Sequence, residues 1–465
     1  MKTRILSLVL LLFSISAFAQ QITGDWYGAL KVQAAMQLRI VFHISQNGDK
    51  YSATLDSPDQ GAKGIPVSST LFANSKLDIS MPNLMAEYNG ELRGGDSIIG
   101  TFKQRGMAMP LNLTRRAIEK QAIKRPQEPV PPFPYYSEEV TFPNPSAGIT
   151  LAGTLTLPKK EGKFPVVVLI TGSGSQNRDE EIFGHKPFLV IADYLTRNGI
   201  GVLRYDDRGF GKSTGDFQKA ITTDFASDVE SAVAYLKSRK DIDQKKIGLI
   251  GHSEGGNIAP IVASKSKDIR FIVILAGTGL RGDQLIVLQQ ELIGRANGAP
   301  EQELAAWKEA GEKGMDIMDH TTDPKALKQK LAQLLTETYL KLKKDTSQAD
   351  IKAQISMQVE QMTTPWMRYF LKYDPLPTLS KVKYPVLVLN GEKDLQVPAK
   401  ENIPLIEKAL KQGGNKQVVI KVFPNLNHMF QECKTGAPAE YGSIEQTIAP
   451  VVLETTTNWI KQIVK

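Results

Sequence analysis

Cysteine is almost missing from this chain of 465 residues: Cys433 is the only one. No intrachain disulfide can form, so the fold must be held by buried apolar surface, which a chain of this length can supply. Cys433 itself reads as a small buried hydrophobe rather than a reactive thiol. Long apolar runs are scarce too. The run Ile5–Phe13 is too short to cross a bilayer, and no later segment approaches about 18 uninterrupted apolar residues, so no membrane span is expected. Lysine and arginine exceed aspartate and glutamate by 57 to 49, but they form no stripe, which argues against nucleic acid as a partner. Histidine is sparse, with five in all, and no His/Cys/carboxylate cluster has metal-ligand spacing. The stretch Asp206-Asp207-Arg208-Gly209-Phe210-Gly211-Lys212-Ser213 has neither the spacing nor the lysine position of a phosphate-binding loop and reads as a structural turn. Neither a metal nor a cofactor is expected.

What is present begins with a leader. Lys2 and Arg4, the apolar core Ile5–Phe13 and Ala17-Phe18-Ala19 form a secretory signal peptide over residues 1–19, which implies an exported protein, periplasmic or extracellular, beginning near Gln20. Residues 22–115 carry short β-rich runs (Gln37–Ser45, Tyr51–Leu55, Lys76–Ser80, Ser97–Lys103, Leu111–Thr114) separated by turn signals such as Asn47-Gly48 and Gly94-Gly95. That spacing predicts a small all-β barrel or sandwich, a structural or docking module more than a binding one. Its Gly24-Asp25-Trp26 opening loosely resembles lipocalin-like barrels. Residues 116–137 then bring Pro126, Pro129, Pro131, Pro132 and Pro134, a polyproline linker.

From residue 138 strands and helices alternate. Strands are expected at Ile149–Leu157, Phe164–Ile170, Ile200–Tyr205, Ile247–Ile250 and Phe271–Leu275, and helices at Lys186–Arg197 and Asp224–Ser238. Unbroken apolar runs such as Val166–Ile170 suit a parallel sheet covered on both faces. After Gly279 about a hundred residues read as helices only, with Pro300 and Pro324 at first-turn positions. The sheet resumes at Val386–Asn390 and Val418–Phe423, and a final helix is expected at Ile444–Ile463.

The chemistry centres on Gly251-His252-Ser253-Glu254-Gly255, a Gly-x-Ser-x-Gly turn between an apolar strand and a small-residue helix. This is the pattern of the α/β-hydrolase nucleophile elbow; the alternative is a tight turn without chemistry. A serine hydroxyl needs a base, and the base needs a third group to orient it. In this fold the order is Ser, then an acid, then His, each after a strand. Only His320 and His428 follow the elbow, and His320 falls in the helical stretch, so His428 is the expected base. Asp394, after Val386–Asn390, is the expected acid, with Glu392 as rival. His252 points away from Ser253 along its strand and reads as packing.

Three motifs, Gly-His-Ser-Glu-Gly-Gly at 251–256, Gly-Glu-Lys-Asp-Leu-Gln-Val-Pro at 391–398 and Asn-Leu-Asn-His-Met-Phe at 425–430, together resemble bacterial α/β-hydrolases near the dienelactone hydrolases and serine aminopeptidases. The loop Gly172-Ser173-Gly174-Ser175-Gln176-Asn177-Arg178-Asp179 is similar to one carried by exported esterases of that group. The resemblance covers 138–465. It implies an α/β-hydrolase fold with a mostly parallel sheet and a helical lid at 281–380, and it implies oxyanion donors at the backbone N–H groups of Ser173 and Glu254. Arg178 and Asp179 could touch substrate or hold the loop by an ion pair. His185 could line the pocket or pack a helix start. Trp366 and Tyr369, in the aromatic run 365–373, could wall an acyl pocket or pack the lid.

The reading is a secreted serine hydrolase acting on small-molecule carboxylic esters through Ser253, Asp394 and His428. The alternatives are a peptidase on short peptides and a catalytically idle binding protein. Nothing in the sequence sets the oligomeric state.

Overall fold

The computed structural model describes residues 22–33, 36–60, 62–84, 86–104, 107–119, 124–342 and 348–465. The leader expected at 1–19 lies outside the described residues, as do 120–123 of the proline-rich segment. The chain divides into two compact units, residues 1–121 and 122–465.

The first unit is all β: β1 (Gly24–Gln33), β2 (Met36–Asn47), β3 (Lys50–Ser57), β4 (Ala62–Pro66), β5 (Ser69–Ala73), β6 (Lys76–Met81), β7 (Ala86–Arg93), β8 (Ser97–Gln104), β9 (Met107–Pro110) and β10 (Leu113–Thr114). Neighbours run antiparallel in the order β10-β1-β2-β3-β5-β6-β7-β8-β9, with β4 on β3. Two-residue β10 also pairs with β8, which closes the sheet into a barrel. Its interior is filled by Trp26, Phe42, Leu77, Tyr88, Ile98 and Leu113, all fully buried. Trp26 donates its indole N–H to Ile22 O at 2.7 Å, and the Arg115 guanidinium lies 3.8 Å over its ring. Strand β7 was not expected from the sequence. It reads polar because Glu87, Asn89 and Glu91 face outward while Ala86, Tyr88 and Leu92 are buried, the alternation of a strand wet on one side.

The second unit holds one eight-stranded sheet. Its strands are β11 (Tyr136–Asn144), β12 (Ile149–Leu157), β13 (Phe164–Ile170), β14 (Gly201–Tyr205), β15 (Ile242–His252), β16 (Phe271–Leu275), β17 (Val386–Gly391) and β18 (Val418–Phe423), in the order β11-β12-β14-β13-β15-β16-β17-β18. β11 and β12 pair antiparallel at one edge, and the pairs from β14 to β18 are parallel. Within β13, Val166, Val168 and Ile170 enter one core while Val167 and Leu169 enter another on the opposite face. That two-sided burial is why the strand is apolar at every position.

Helices cover both faces: α1 (Pro187–Arg197), α2 (Thr222–Ser238), α3 (Gly255–Ala263), then an insertion of α4 (Gly282–Ala296), α5 (Glu301–His320), α6 (Pro324–Leu342), α7 (Gln348–Met362), α8 (Pro365–Lys372) and α9 (Leu376–Leu379), and finally α10 (Ala399–Gln412), α11 (Pro438–Tyr441) and α12 (Pro450–Ile463). α1 and α12 pack on one face, α2, α3 and α10 on the other. The final helix does not span Ile444–Ile463 as expected. Pro450 is its first residue, preceded by Ala449 at ψ 130°, because the residue before a proline is driven out of the helical region. The insertion separates two strands that are neighbours in the sheet, β16 and β17. It has its own core around Leu327, Leu331 and Leu335, and its ends are tied by Gly282 N–H donating to Tyr373 O at 3.1 Å.

Candidate active site

Strand β15 runs straight into α3 through a turn only glycines permit. A Cβ on Gly251 would land on the carbonyl of Gly255, and one on Gly255 would land on the carbonyl of Ile170. Between them Ser253 sits at φ +53°, a left-handed conformation that a serine adopts only under constraint. Its N–H is fixed to Leu275 O at 2.8 Å. The hydroxyl thus stands at the C-terminal end of β15, beside the N-terminus of α3.

Two further strand ends carry the candidate acid and base. After β17 the chain folds back so that Asp394 Oδ1 accepts the N–H groups of Gln396 and Val397, both at 2.8 Å. Its Oδ2 then faces His428 Nδ1 at 2.8 Å. Both side chains are almost fully buried. In the neutral ring, donation of Nδ1–H to Asp394 would leave the lone pair on His428 Nε2, the tautomer a general base needs. Glu392, the rival acid, is exposed and accepts Asn425 N–H at 3.1 Å, so the carboxylate that meets His428 is that of Asp394. The His428 loop is stiffened by Asn427 Oδ1, which accepts the N–H groups of Met429 and Gln431 at 2.9 and 3.0 Å.

The loop after β13 is held on three sides. Gly172 N–H donates to Glu180 Oε1 at 2.8 Å. Thr171 Oγ1 and Gln176 N–H donate to the two oxygens of Asp207 at 2.8 and 2.9 Å. Arg178 forks onto Asp206 through Nε and Nη2, at 3.0 and 2.8 Å, and Asp179 pairs with Arg204. Arg178 and Asp179 therefore hold the loop. Gly172 lies so close to the elbow that a Cβ there would be 3.2 Å from Ser253 Cβ. The N–H groups of Ser173 and Glu254 donate to no protein acceptor among the described residues. Burial, with the nearby charges of Glu180 and Glu254, pushes the Asp207 carboxyl up to about 8 against its two hydrogen bonds.

The Glu254 side chain, which no sequence pattern singles out, is the link between elbow and insertion. Its Oε1 accepts Thr222 Oγ1–H at 2.7 Å and the indole N–H of Trp366, from α8, at 2.8 Å. Burial pushes its carboxyl above the usual range. Trp366 stacks on Phe370 with centroids 5.2 Å apart, and Tyr369, whose hydroxyl is pushed up by burial and then by the Glu254 charge, stacks on Tyr373 at 5.9 Å. Trp366 and Tyr369 thus stand next to the elbow.

His185 does not. It is fully buried, with Nδ1 3.0 Å from Thr447 Oγ1 and Nε2 2.9 Å from Tyr441 O, and burial lowers it to about 4. It is a neutral tie between the start of α1 and the segment before α12, not a pocket residue, because every ring atom is covered. His252 is more than packing: Nδ1 faces Glu180 Oε1 and Nε2 faces His428 O, each at 3.0 Å. Cys433 is half-buried, with Sγ 3.4 Å from Asn425 O. Its neighbours Glu432 and Lys434 are exposed, so it is not the buried hydrophobe expected. Among the described residues no group of three or more His, Cys, Asp or Glu is placed to hold a metal ion, and no helix is long and apolar enough to cross a membrane. The insertion itself encloses a cavity of ≈ 580 Å³ between α4, α5, α6, α7 and α8, with Val287, Leu304, Trp307, Leu335 and Met367 in its wall.

Residues 186–432 match the family model described as Serine aminopeptidase, S33. Esterase EstD of Thermotoga maritima is 28% identical over 332 residues, which are 69% of this chain and 68% of that protein. Acyl-coenzyme A thioesterase 2 of Mus musculus is 30% identical over a shorter stretch of 127 residues, 27% of this chain and 24% of that protein. Among solved structures, an esterase of Pyrococcus furiosus overlays with a TM-score of 0.44 at 16% identity, covering 75% of this chain and 100% of that one.

Proposed function

The chain belongs to the serine aminopeptidase S33 family of α/β-hydrolases, and from that premise we propose that it is an exported serine hydrolase that cleaves small carboxylic esters by way of an acyl-enzyme. The observation that supports this most is the contact between His428 Nδ1 and Asp394 Oδ2 at strand ends beside a serine at positive φ.

In this reading Ser253 Oγ attacks the ester carbonyl while His428 Nε2 takes its proton, and Asp394 keeps the ring oriented and stabilises the imidazolium. The carbonyl oxygen, now negative, is met by the N–H groups of Ser173 and Glu254 and by the N-terminus of α3. The Glu254 carboxyl lies close to that oxyanion, and the burial that favours its neutral form limits the repulsion. His428 then protonates the leaving alcohol, and water, activated by the same nitrogen, releases the acid. The insertion serves as a lid, with Trp366 and Tyr369 on the acyl side. The N-terminal barrel is a structural or docking module. The leader at 1–19 directs export, which N-terminal sequencing of periplasmic protein would check by beginning at Gln20.

A fluorophosphonate probe should label the wild type and not Ser253→Ala, and Ser253→Ala should lose about 10⁴- to 10⁶-fold in kcat. Full turnover by that variant would sink the assignment. The family description favours a second reading, hydrolysis of short peptides. A panel of p-nitrophenyl esters against aminoacyl p-nitroanilides decides between the two: faster turnover of the anilides would replace esterase by peptidase.

A further inference from the structure

We propose that Glu180 and His252 form a buried carboxylate–imidazolium strut that keeps the loop carrying the oxyanion donors and the loop carrying His428 in register on either side of Ser253. The proposal rests on the triad reading above and adds two positioning residues to it.

Three contacts carry it. Glu180 Oε1 accepts Gly172 N–H at 2.8 Å, one residue before the Ser173 donor. The same oxygen faces His252 Nδ1 at 3.0 Å, and His252 Nε2 faces the carbonyl oxygen of His428 at 3.0 Å. A carbonyl oxygen only accepts, and with Glu180 ionised its Oε1, already taking a backbone N–H, only accepts as well. A neutral imidazole has a single N–H to give. Two acceptors at its two nitrogens therefore require both protons, and His252 is an imidazolium with Glu180 as its counter-charge. Neither group has water to turn to instead, since Glu180 is 2% and His252 7% exposed. Glu180 is also held at φ +52°, a conformation that turns its carboxylate inward at a cost in backbone strain. In the sheet, β13, which leads into the oxyanion loop, and β17 and β18, which lead into Asp394 and His428, lie on opposite sides of β15. The strut crosses that gap beneath the nucleophile.

Burial alone would push His252 down from the ordinary imidazole value. The charge and hydrogen bond of Glu180, the His428 carbonyl and the charge of Asp394 outweigh it, and the net shift is upward. The ionisable groups around it are Glu180, Asp394 and His428, whose ring centroid is 4.8 Å away. Behind Glu180 stand Asp207, raised to about 8, and Glu254. Because the shift is upward, the strut is complete at low pH and is lost as pH rises through the raised His252 value. Nε2 then meets the carbonyl lone pair to lone pair. The loop bearing His428 loosens, and kcat/KM falls on an alkaline limb.

The test uses full-length protein labelled with ¹⁵N-histidine, with His252 assigned by its absence from His252→Gln. Titrated upward from about pH 5, His252 should keep both nitrogen protons beyond the ordinary imidazole value of about 6.5 in the wild type and lose one at lower pH in Glu180→Gln. With p-nitrophenyl acetate, Glu180→Gln should lose about 10²-fold in kcat/KM, the scale of a displaced catalytic group, and its alkaline limb should move to lower pH. His252→Gln, which can still donate to the His428 carbonyl but cannot ionise, should lack the limb. Asp207→Asn should leave the limb where it was, whatever its level of turnover. A wild-type His252 that loses its second proton at or below the ordinary imidazole value, a limb unmoved in Glu180→Gln, or a limb removed by Asp207→Asn would each overturn the strut. If Glu180→Gln does not fold, the wild-type spectrum and the Asp207→Asn profile still decide. A wrong triad would show itself separately, as turnover by Ser253→Ala, with His252 protonation unaffected.

Discussion

Asp207 couples the stability of the hydrolase unit to pH. Its carboxyl anchors Thr171 and Gln176, yet burial and the neighbouring carboxylates raise it from 3.8 to about 8. A raised acid binds its proton more tightly folded than unfolded. Its contribution is complete below the ordinary carboxylate value and is lost as pH climbs through about 8. The wild type should therefore lose melting temperature between pH 5 and 9 through this group. Asp207→Asn keeps an acceptor for Gln176 and never ionises, so its melting temperature should fall less over the same interval. Parallel melting curves at the two pH values check this, and identical slopes would remove Asp207 as the cause. The acid role is testable on the same scale: Asp394→Asn should cost about 10⁴-fold in kcat, whereas Glu392→Gln, exposed and bonded to Asn425 N–H, should stay near wild type. A reversed ranking in the kinetics would transfer the role to Glu392.

The helix α8 decides whether the insertion is scaffold or pocket, and its sequence and structure carry different halves of the answer. The density of aromatics at 365–373 was visible at once. The latch they form was not, because Trp366 and Glu254 are 112 positions apart and no local pattern joins them. The same limit hid Glu180 and the second role of His252: both depend on how the loop after β13 folds back onto β15. Ser253, Asp394 and His428 stand out as candidates in the sequence for the opposite reason. Each follows an apolar strand, and chain order leaves few candidates. Strands with one wet face, such as β7 and β11, leave no apolar run in the sequence because half their residues are polar, and apolar residues upstream of Pro450 hide the start of α12. The latch predicts a split between two variants. Trp366→Phe keeps the ring against Phe370 but leaves Glu254 short of a donor, which should cost about 1–3 kcal/mol of stability with acyl preference unchanged. Trp366→Ala removes the wall as well and should also shift the preferred ester chain length. Melting curves and a p-nitrophenyl ester series on both proteins would show it, and an unchanged chain-length profile in Trp366→Ala would make Trp366 structural only.

At the scale of the whole molecule, the placement of the insertion has a consequence in time. β16 and β17 are hydrogen-bonded neighbours, yet α4 to α9 lie between them in the chain. Closing a flexible loop of that length costs on the order of 4 kcal/mol in chain entropy. The loop is not flexible once the insertion has its own core and Gly282 is joined to Tyr373, because its two ends are then already adjacent. The strand that leads into Ser253, β15, is delivered early in the sequence. The strands that bring Asp394 and His428 can dock cheaply only after the insertion has folded. During refolding, then, helical signal should return before esterase activity. Leu331→Ala, deep in the insertion core and far from Ser253 in the chain, should lengthen that lag while leaving kcat of the refolded enzyme intact. Stopped-flow circular dichroism alongside an activity time course would reveal the interval, and simultaneous recovery of both signals would argue that the halves of the sheet assemble together. The enzyme would on this account pass through a stage in which its serine is in place and its base has not yet arrived, harmless to every ester around it until the last strands close.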